Sequence, residues 1–232
     1  LNKIKEKLSK EEQVILLLNR RGYSSFVTCK NCGYTVKCPH CDITLTYHKS
    51  SNNLRCHYCG YATNITNICP ECHEKSLTTL GVGTEKIEEE LHTLIPAAKI
   101  LRMDFDTTSK KGSHAKMIEE FKEHKYDILL GTQIVAKGLD FENVTLVGVV
   151  NADTSLNIPN FRSSEQTFSL LSQVAGRSGR SSKTGEVIIQ TYNPTHYAIE
   201  CVKNHDYLDF FNKEMNIRRR LNYPPYYYVT YI

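Results

Sequence analysis

DILLGTQIVAKGLDFENVTLVGVV, residues 127–150, decides the architecture. Two apolar runs of strand length, Asp127–Leu130 and Val144–Val150, flank a loop containing glycine and polar residues. Runs this short, bounded by turn-forming residues, predict buried strands rather than helices. Further runs of the same kind lie at Gln13–Leu18, Leu77–Leu80, Ile100–Met103 and Glu186–Gln190.

Segments of helix length separate these runs. After Thr84, Ile87, Leu91, Leu94 and Ile95 recur on one helical face, and Glu85, Glu88, Glu89 and Glu90 sit near the start, where acidic side chains complement the helix dipole. A second helix is expected from Ser113 to His124, burying Met117, Ile118 and Phe121. A third is expected from Ser164 to about Gln173, with Phe168, Leu170 and Leu171 inward. Alternating strands and helices predict an α/β fold, a mostly parallel sheet covered by helices on both faces. Such sheets meet their ligands at the loops beyond the strands' carboxyl ends.

At 232 residues and 40% apolar content, the chain can bury one substantial core and carry a small satellite. It has no run of eighteen apolar residues. Leu1–Glu12 is charged and helix-like rather than a signal peptide, so a cytoplasmic protein with no membrane partner is expected.

Eight of the nine cysteines form four CxxC pairs: Cys29/Cys32, Cys38/Cys41, Cys56/Cys59 and Cys69/Cys72. Two thiols at that spacing suit a tetrahedral metal better than a disulfide. Of the three ways to share four pairs between two zinc ions, the connections favour a nested one. Ile43–His48, a polar turn at Ser50–Asn53 and Leu54 supply a hairpin that unites Cys38, Cys41, Cys56 and Cys59. Cys29, Cys32, Cys69 and Cys72 then form the outer site.

Gly33 and Gly60 each follow a second cysteine, where a knuckle turn needs a left-handed backbone. Four thiolates leave no open coordination position, so both sites are expected to be structural. The module fits both a metal-stabilised staple and a binding surface. Lys30, Lys37, Lys49 and Arg55 could meet DNA, but lysines on so small a unit also serve as a solvated face. His40, His48, His57 and His73 are surplus to the ligand count, and Cys201 reads as a buried core thiol.

The formal net charge is +4, but each four-thiolate zinc carries about −2, so the two sites cancel it. Arguments for an anionic partner therefore rest on local clusters: Arg20 and Arg21, Arg177 and Arg180, and Arg218 to Arg220.

Two segments carry the chemical signal. GTQIVAKGLDF, residues 131–141, follows a strand, and QVAGRSGR, residues 173–180, ends the third helix. The second resembles the QxxGRxGR motif of superfamily 2 helicases, and the first resembles the preceding motif of their second RecA-like lobe. An arginine pair suits phosphoryl transfer because guanidinium stays charged and bonds phosphate oxygens bidentately.

Taken with NRRGY (residues 19–23), the four CxxC pairs, GVGTEKIEEEL (residues 81–91) and ADTSLNIPNFRSSE (residues 152–165), the series resembles the PriA family of primosomal replication-restart helicases, also called primosomal protein N′. The resemblance covers essentially the whole chain. It implies a RecA-like second helicase lobe with a zinc-ribbon-like insertion. The expected divisions are 1–28 for the first part of the lobe, 29–76 for the two-zinc insertion, 77–220 for the rest of the lobe, and 221–232 for the start of a further domain.

The resemblance also implies roles. Arg177 and Arg180 reach the γ-phosphate as arginine fingers, Gln173 couples the site to DNA, and Gly138 and Asp140 lie beside the ribose. Thr132 and Gln133, with backbone amides of Gly81 to Thr84 at a helix N-terminus, Gly83 and Thr84 among them, are candidates for DNA phosphate contacts. Two structural Zn²⁺ ions belong to the segment; ATP and Mg²⁺ belong to the full-length protein. The implied partners are single-stranded and forked DNA, primosome proteins, single-stranded-DNA-binding protein and the first helicase lobe in cis. The implied location is the nucleoid of a bacterial cytoplasm.

No GxxxxGK followed by Ser or Thr occurs, and there is no DExH or DExD box. A fragment of a longer protein, inactive alone towards ATP, is expected. The tail LNYPPYYYVTYI, residues 221–232, is aromatic and β-rich and is expected to open or pair with a further domain. The competing class is a non-enzymatic zinc module that binds nucleic acid or protein. A self-contained α/β enzyme lacks a nucleophile and base to support it.

Overall fold

The structure is a computed structural model that describes residues 1–18, 26–48, 51–80, 84–104, 107, 112–132, 141–176 and 185–229. Two compact units are present. The first comprises Leu1–Arg20, Val82–Ala152 and Leu170–Gln190, and the second Arg21–Gly81, Asp153–Ser169 and Thr191–Ile232. No helix among the described residues is long and apolar enough to cross a membrane.

The first unit opens with helix α1 (Asn2–Leu8) and strand β1 (Gln13–Leu18). All six residues of β1 are buried, as a central strand covered on both faces requires. Later in the chain come helix α2 (Thr84–Leu94), strand β7 (Ile100–Met103), helix α3 (Ser113–Lys122), and strands β8 (Ile128–Gly131) and β9 (Val144–Val150). With β10 (Glu186–Ile189) they form one five-stranded sheet, ordered β10-β9-β1-β8-β7. Every pairing in it is parallel.

Alternation along β1 separates the two faces. Val14, Leu16 and Leu18 join Ile87 and Leu91 of α2, with Ile4 and Leu8 of α1 packed against the cluster. Gln13 points the other way, and its amide donates to the carbonyls of Phe121 and Tyr126, both at 2.8 Å. Phe121, fully buried at the end of α3, meets Phe141 edge-on at 4.9 Å. Helices therefore cover both faces, as the alternating pattern requires.

Leu77–Leu80 departs from that pattern. This strand, β6, pairs antiparallel with β2 (Phe26–Cys29) in a separate two-stranded ribbon. A four-residue apolar run does not specify its partner. Here the flanking cysteines do, because Cys29 and Cys72 lie next to these strands and belong to one site. Within the second unit, β3 (Thr46–His48), β4 (Asn53–Arg55) and β5 (Ala62–Asn64) form a three-stranded antiparallel sheet. The hairpin was expected; its third strand was not.

Four further helical pieces lie among the described residues: α4 (Asp153–Leu156), α5 (Ser163–Ala175), α6 (Tyr197–Lys203) and α7 (Tyr207–Arg220). Asp206 caps α7, its carboxylate accepting from the Asp209 amide at 2.9 Å. Phe210 of α7 stacks on Phe168 of α5 with centroids 4.0 Å apart. The described part of the aromatic tail forms turns, not a strand: the amide of Tyr223 returns to the Arg218 carbonyl at 2.8 Å.

Buried charge ties α7 to the base of α5. Arg218 donates to Glu214 and to Glu165, both at 2.7 Å, and Arg162 grips Glu165 from the other side at 2.9 and 3.1 Å. Arg218, one of the basic cluster expected to meet an anion, is thus spent on carboxylates of its own chain.

The Arg162 guanidinium, with that of Arg218, outweighs burial and holds the Glu165 carboxyl down at about 2, below its ordinary 4.5. A depressed carboxyl stabilises the fold above its unfolded pKa and loses that contribution as pH falls through the folded value. The thermal midpoint, followed by circular dichroism, is therefore expected to drop between about pH 4.5 and pH 2. Glu165→Gln should lower the midpoint at neutral pH and flatten this part of the profile.

Candidate metal centre and motor motifs

Each CxxC pair closes a turn of the same design. The amide of the residue after the second cysteine returns to the first cysteine's carbonyl: Gly33 to Cys29 at 3.0 Å, Asp42 to Cys38 at 2.9 Å, Gly60 to Cys56 at 3.1 Å and His73 to Cys69 at 2.9 Å. The first cysteine's own amide then bonds the carbonyl five residues on, in Tyr34, Ile43, Tyr61 and Glu74. All four closing residues have positive φ, at 78°, 53°, 75° and 60°.

The two glycines were legible from sequence. Asp42 and His73 were not, although Asp and His are among the non-glycine residues that tolerate this region. Gly33 has a second constraint, because a Cβ there would stand 2.5 Å from the Tyr192 carbonyl oxygen.

These turns aim the thiols into two groups, Cys29, Cys32, Cys69 and Cys72, and Cys38, Cys41, Cys56 and Cys59, each with all sulfurs within 4.8 Å of one another. This is the nested arrangement. Sulfurs lie 3.6 Å apart at Cys29–Cys72 and Cys32–Cys69 and 3.5 Å apart at Cys38–Cys59. A disulfide needs about 2.05 Å. A tetrahedral zinc with bonds of about 2.3 Å needs sulfurs about 3.8 Å apart, so the donor set fits zinc. Burial opposes the Cys29 thiolate, but the Ser76 hydroxyl and nearby amides favour it and hold the thiol down at about 6. Histidines take no part in either group among the described residues.

The module's apolar core is small: Val27, Ile43, Leu45 and Leu54 with the buried Cys38 and Cys56, closed by Tyr223. Burial of each such side chain contributes about 1.5–3 kcal/mol. Structural zinc contributes about 10–16 kcal/mol at neutral pH, so the metal dominates the stability of this unit.

The sheet locates the other candidates in part. Because β1 and β8 are parallel neighbours, the chain leaves both at the same sheet edge, towards residues 19–25 and 133–140. Thr132 stands at that edge, its amide 3.3 Å from the Met103 carbonyl. Thr84, at the start of α2, is buried, and its hydroxyl donates to Asp104 at 2.8 Å. Asp104 also accepts from the Thr107 amide at 3.0 Å and lies 3.3 Å from Arg102. Burial opposes its charge; these partners prevail and keep the carboxyl below its ordinary value.

Asp104 and Thr107 were not singled out from sequence; an Asp three residues before a Thr at a strand end was the available signal. Gln173 is exposed near the end of α5. Arg177, Arg180, Gly138, Asp140, Gln133 and Gly83 lie outside the described residues.

The PriA DNA helicase Cys-rich region (CRR) domain matches residues 38–63, and the helicase conserved C-terminal domain matches residues 68–182. The replication restart protein PriA of Bacillus subtilis is 55% identical over the whole chain, and its homologues from Synechocystis and Chlamydia pneumoniae are 47% and 46% identical over 94% and 97% of it. The chain belongs to the PriA family. It spans 27–30% of the length of these three PriA relatives. Among solved structures, the C-terminal domain of the DEAD-box protein Dbp5 is 12% identical with a TM-score of 0.39, covering 95% of this chain and 79% of its own. The Pyrococcus furiosus Hef helicase domain is 14% identical with a TM-score of 0.37, covering 82% and 24%.

The second unit also holds a cavity of about 480 Å³ whose walls include Tyr34, Asp153, His196, Tyr197 and Arg218. Asp153 accepts from the Tyr192 amide at 2.9 Å and the Thr191 hydroxyl at 3.2 Å, and His196 from the Ala198 amide at 3.2 Å. Burial holds His196 down at about 4, so it is neutral at physiological pH. These polar groups serve the fold.

Two nested sites in this PriA segment give a direct expectation. Metal analysis of the purified chain should find two zinc ions, and Cys59→Ser should leave one, held by the outer four cysteines. Loss of both ions from that variant would show that the sites do not fill independently.

Proposed function

We propose that this chain is the C-terminal motor lobe of an ATP-dependent, 3′ to 5′ DNA helicase that restarts stalled replication forks and assembles the primosome. One observation carries the reading: a Cys-rich module of the PriA type accompanies a parallel α/β unit whose sheet edge leads into GTQIVAKGLDF and whose helix α5 leads into QVAGRSGR. Relatives named as replication restart proteins agree with it.

In this reading ATP and Mg²⁺ bind between this lobe and the first lobe of the full-length protein, supplying the phosphoryl group and neutralising its charge. Arg177 and Arg180 bring guanidinium groups to the γ-phosphate, where charge spreads in the transition state. Gly138 and Asp140 lie at the ribose. Gln173 links the nucleotide to the DNA track, and Thr132 and Gln133, with backbone amides of the segment containing Gly83 and Thr84, meet DNA phosphates. The zinc ions hold the module's shape and take no chemical step, because four thiolates fill each coordination sphere. Primosome proteins, single-stranded-DNA-binding protein and forked DNA are the partners in the bacterial cytoplasm.

The test uses a full-length PriA relative carrying this chain in place of its own segment. Arg180→Ala should reduce single-stranded-DNA-stimulated ATP turnover by about a thousandfold or more while nucleotide binding is largely kept. The isolated chain should show no turnover. Unchanged turnover in the variant would overturn the motor reading and leave a zinc-bearing scaffold for DNA or protein as the better account.

A further inference from the structure

Tyr223 follows the end of α7 by three residues, yet its side chain is buried in the apolar cluster of the cysteine module. Its contacts reach both knuckles of the inner site. The hydroxyl donates to the Cys41 carbonyl at 2.6 Å, in the first knuckle. The ring meets Tyr58, which lies between Cys56 and Cys59 in the second, edge-on with centroids 6.4 Å apart. The Tyr58 amide in turn donates to Cys56 Sγ at 3.4 Å.

We infer that Tyr223 is a positioning residue for the inner zinc site, holding the Cys38–Cys41 and Cys56–Cys59 knuckles at the separation the metal requires. The inference is independent of the motor reading and rests on zinc filling the inner group of cysteines.

Tyr223 can act on the knuckles because it is itself held. Its amide donates to the Arg218 carbonyl at 2.8 Å, and the Pro224 carbonyl accepts from the Arg218 guanidinium at 3.3 Å. Its ring also stacks on Phe161, with centroids 5.0 Å apart and planes at 12°. Arg218, fixed by Glu214 and Glu165, lies 5.3 Å from the Phe161 ring centre. The ring therefore cannot swing away without breaking several contacts, and all of these residues belong to the second unit.

Exposure makes such a hold consequential. Cys38 and Cys56 are buried, whereas Cys41 is half-buried and Cys59 is exposed, so one side of the tetrahedron faces solvent. Zinc leaves when a knuckle on that side moves outward, and Tyr223 opposes the movement of both. Groups that orient metal ligands from outside typically change affinity by about ten- to a hundredfold. The linkage is reciprocal: a filled inner site also holds Tyr223, and with it the turn after α7. The outer group meets this half of the unit at a different point, where Gly33 leaves no room for a Cβ against the Tyr192 carbonyl oxygen, and so serves as an internal control.

The test challenges the zinc-loaded full-length chimeric relative with EDTA and N-ethylmaleimide and follows alkylation of each cysteine by peptide mass spectrometry. Tyr223→Phe keeps the ring and removes the hydroxyl. It should expose Cys38, Cys41, Cys56 and Cys59 to alkylation roughly tenfold faster, with the outer four within about twofold of wild type. Tyr228→Phe, at an exposed side chain of the same tail, should change neither group. Equal acceleration at both groups would mean a general loosening, and no acceleration at the inner one would mean an idle hydroxyl; either result overturns the inference.

Wild type supplies a second arm that needs no variant to fold. As zinc is withdrawn, protection of the Tyr223 amide from hydrogen exchange should fall in step with alkylation of the inner four cysteines. Protection that outlasts their alkylation would overturn the linkage. Inner cysteines already alkylated before chelation would instead overturn the zinc assignment beneath it.

Discussion

Four thiolates must converge within a few ångströms at each zinc site, and much of the second unit depends on that requirement. The outer group brings Cys29 and Cys32 to Cys69 and Cys72, which are far apart in the chain. Their meeting sets β2 against β6 and closes the module at its base. The inner group does the same for the hairpin and leaves β5 to pair on its open edge. Without metal, an apolar cluster of this size cannot repay the conformational entropy of ordering the segment.

Charge is arranged with similar economy. The formal excess of positive side chains is cancelled by the thiolates, so the chain has no general attraction for anions to exploit. One arginine that looked available to a phosphate, Arg218, serves internal carboxylates instead, while Arg219 sits 5.9 Å from the Tyr226 ring centre. Neighbours in a basic triplet thus meet different environments in the fold, because a helix places successive residues about 100° apart around its axis.

The sheet was legible where its signal was local. The mostly apolar β1 and the runs at β7, β8, β9 and β10 identified themselves by length and composition, and α2, α3 and α5 by period. The ligand grouping was legible because CxxC spacing and the hairpin between Cys41 and Cys56 restrict how the knuckles can meet. Partnerships over long range were not. Nothing in Leu77–Leu80 distinguishes a strand of the parallel sheet from one paired antiparallel to Phe26–Cys29, and nothing in Asp153–Ser169 or Thr191–Val229 shows that they group with the cysteine module. The tail's β propensity was overridden by turns in which Tyr223 is buried on Phe161. The roles proposed for Gly138, Asp140, Arg177 and Arg180, which lie outside the described residues, rest on the sequence motifs.

The division of labour between the two halves follows from their chemistry. A saturated thiolate tetrahedron can neither activate water nor polarise a phosphate, so zinc acts only by holding groups in place. The parallel sheet, in contrast, opens its loops at one edge but carries no phosphate-cradling loop or magnesium-binding box of its own. In the proposed reading, reaction at that edge requires a second surface to bring the nucleotide. In that reading an arginine donated across such a junction must arrive in register, since small errors in placement are costly in rate.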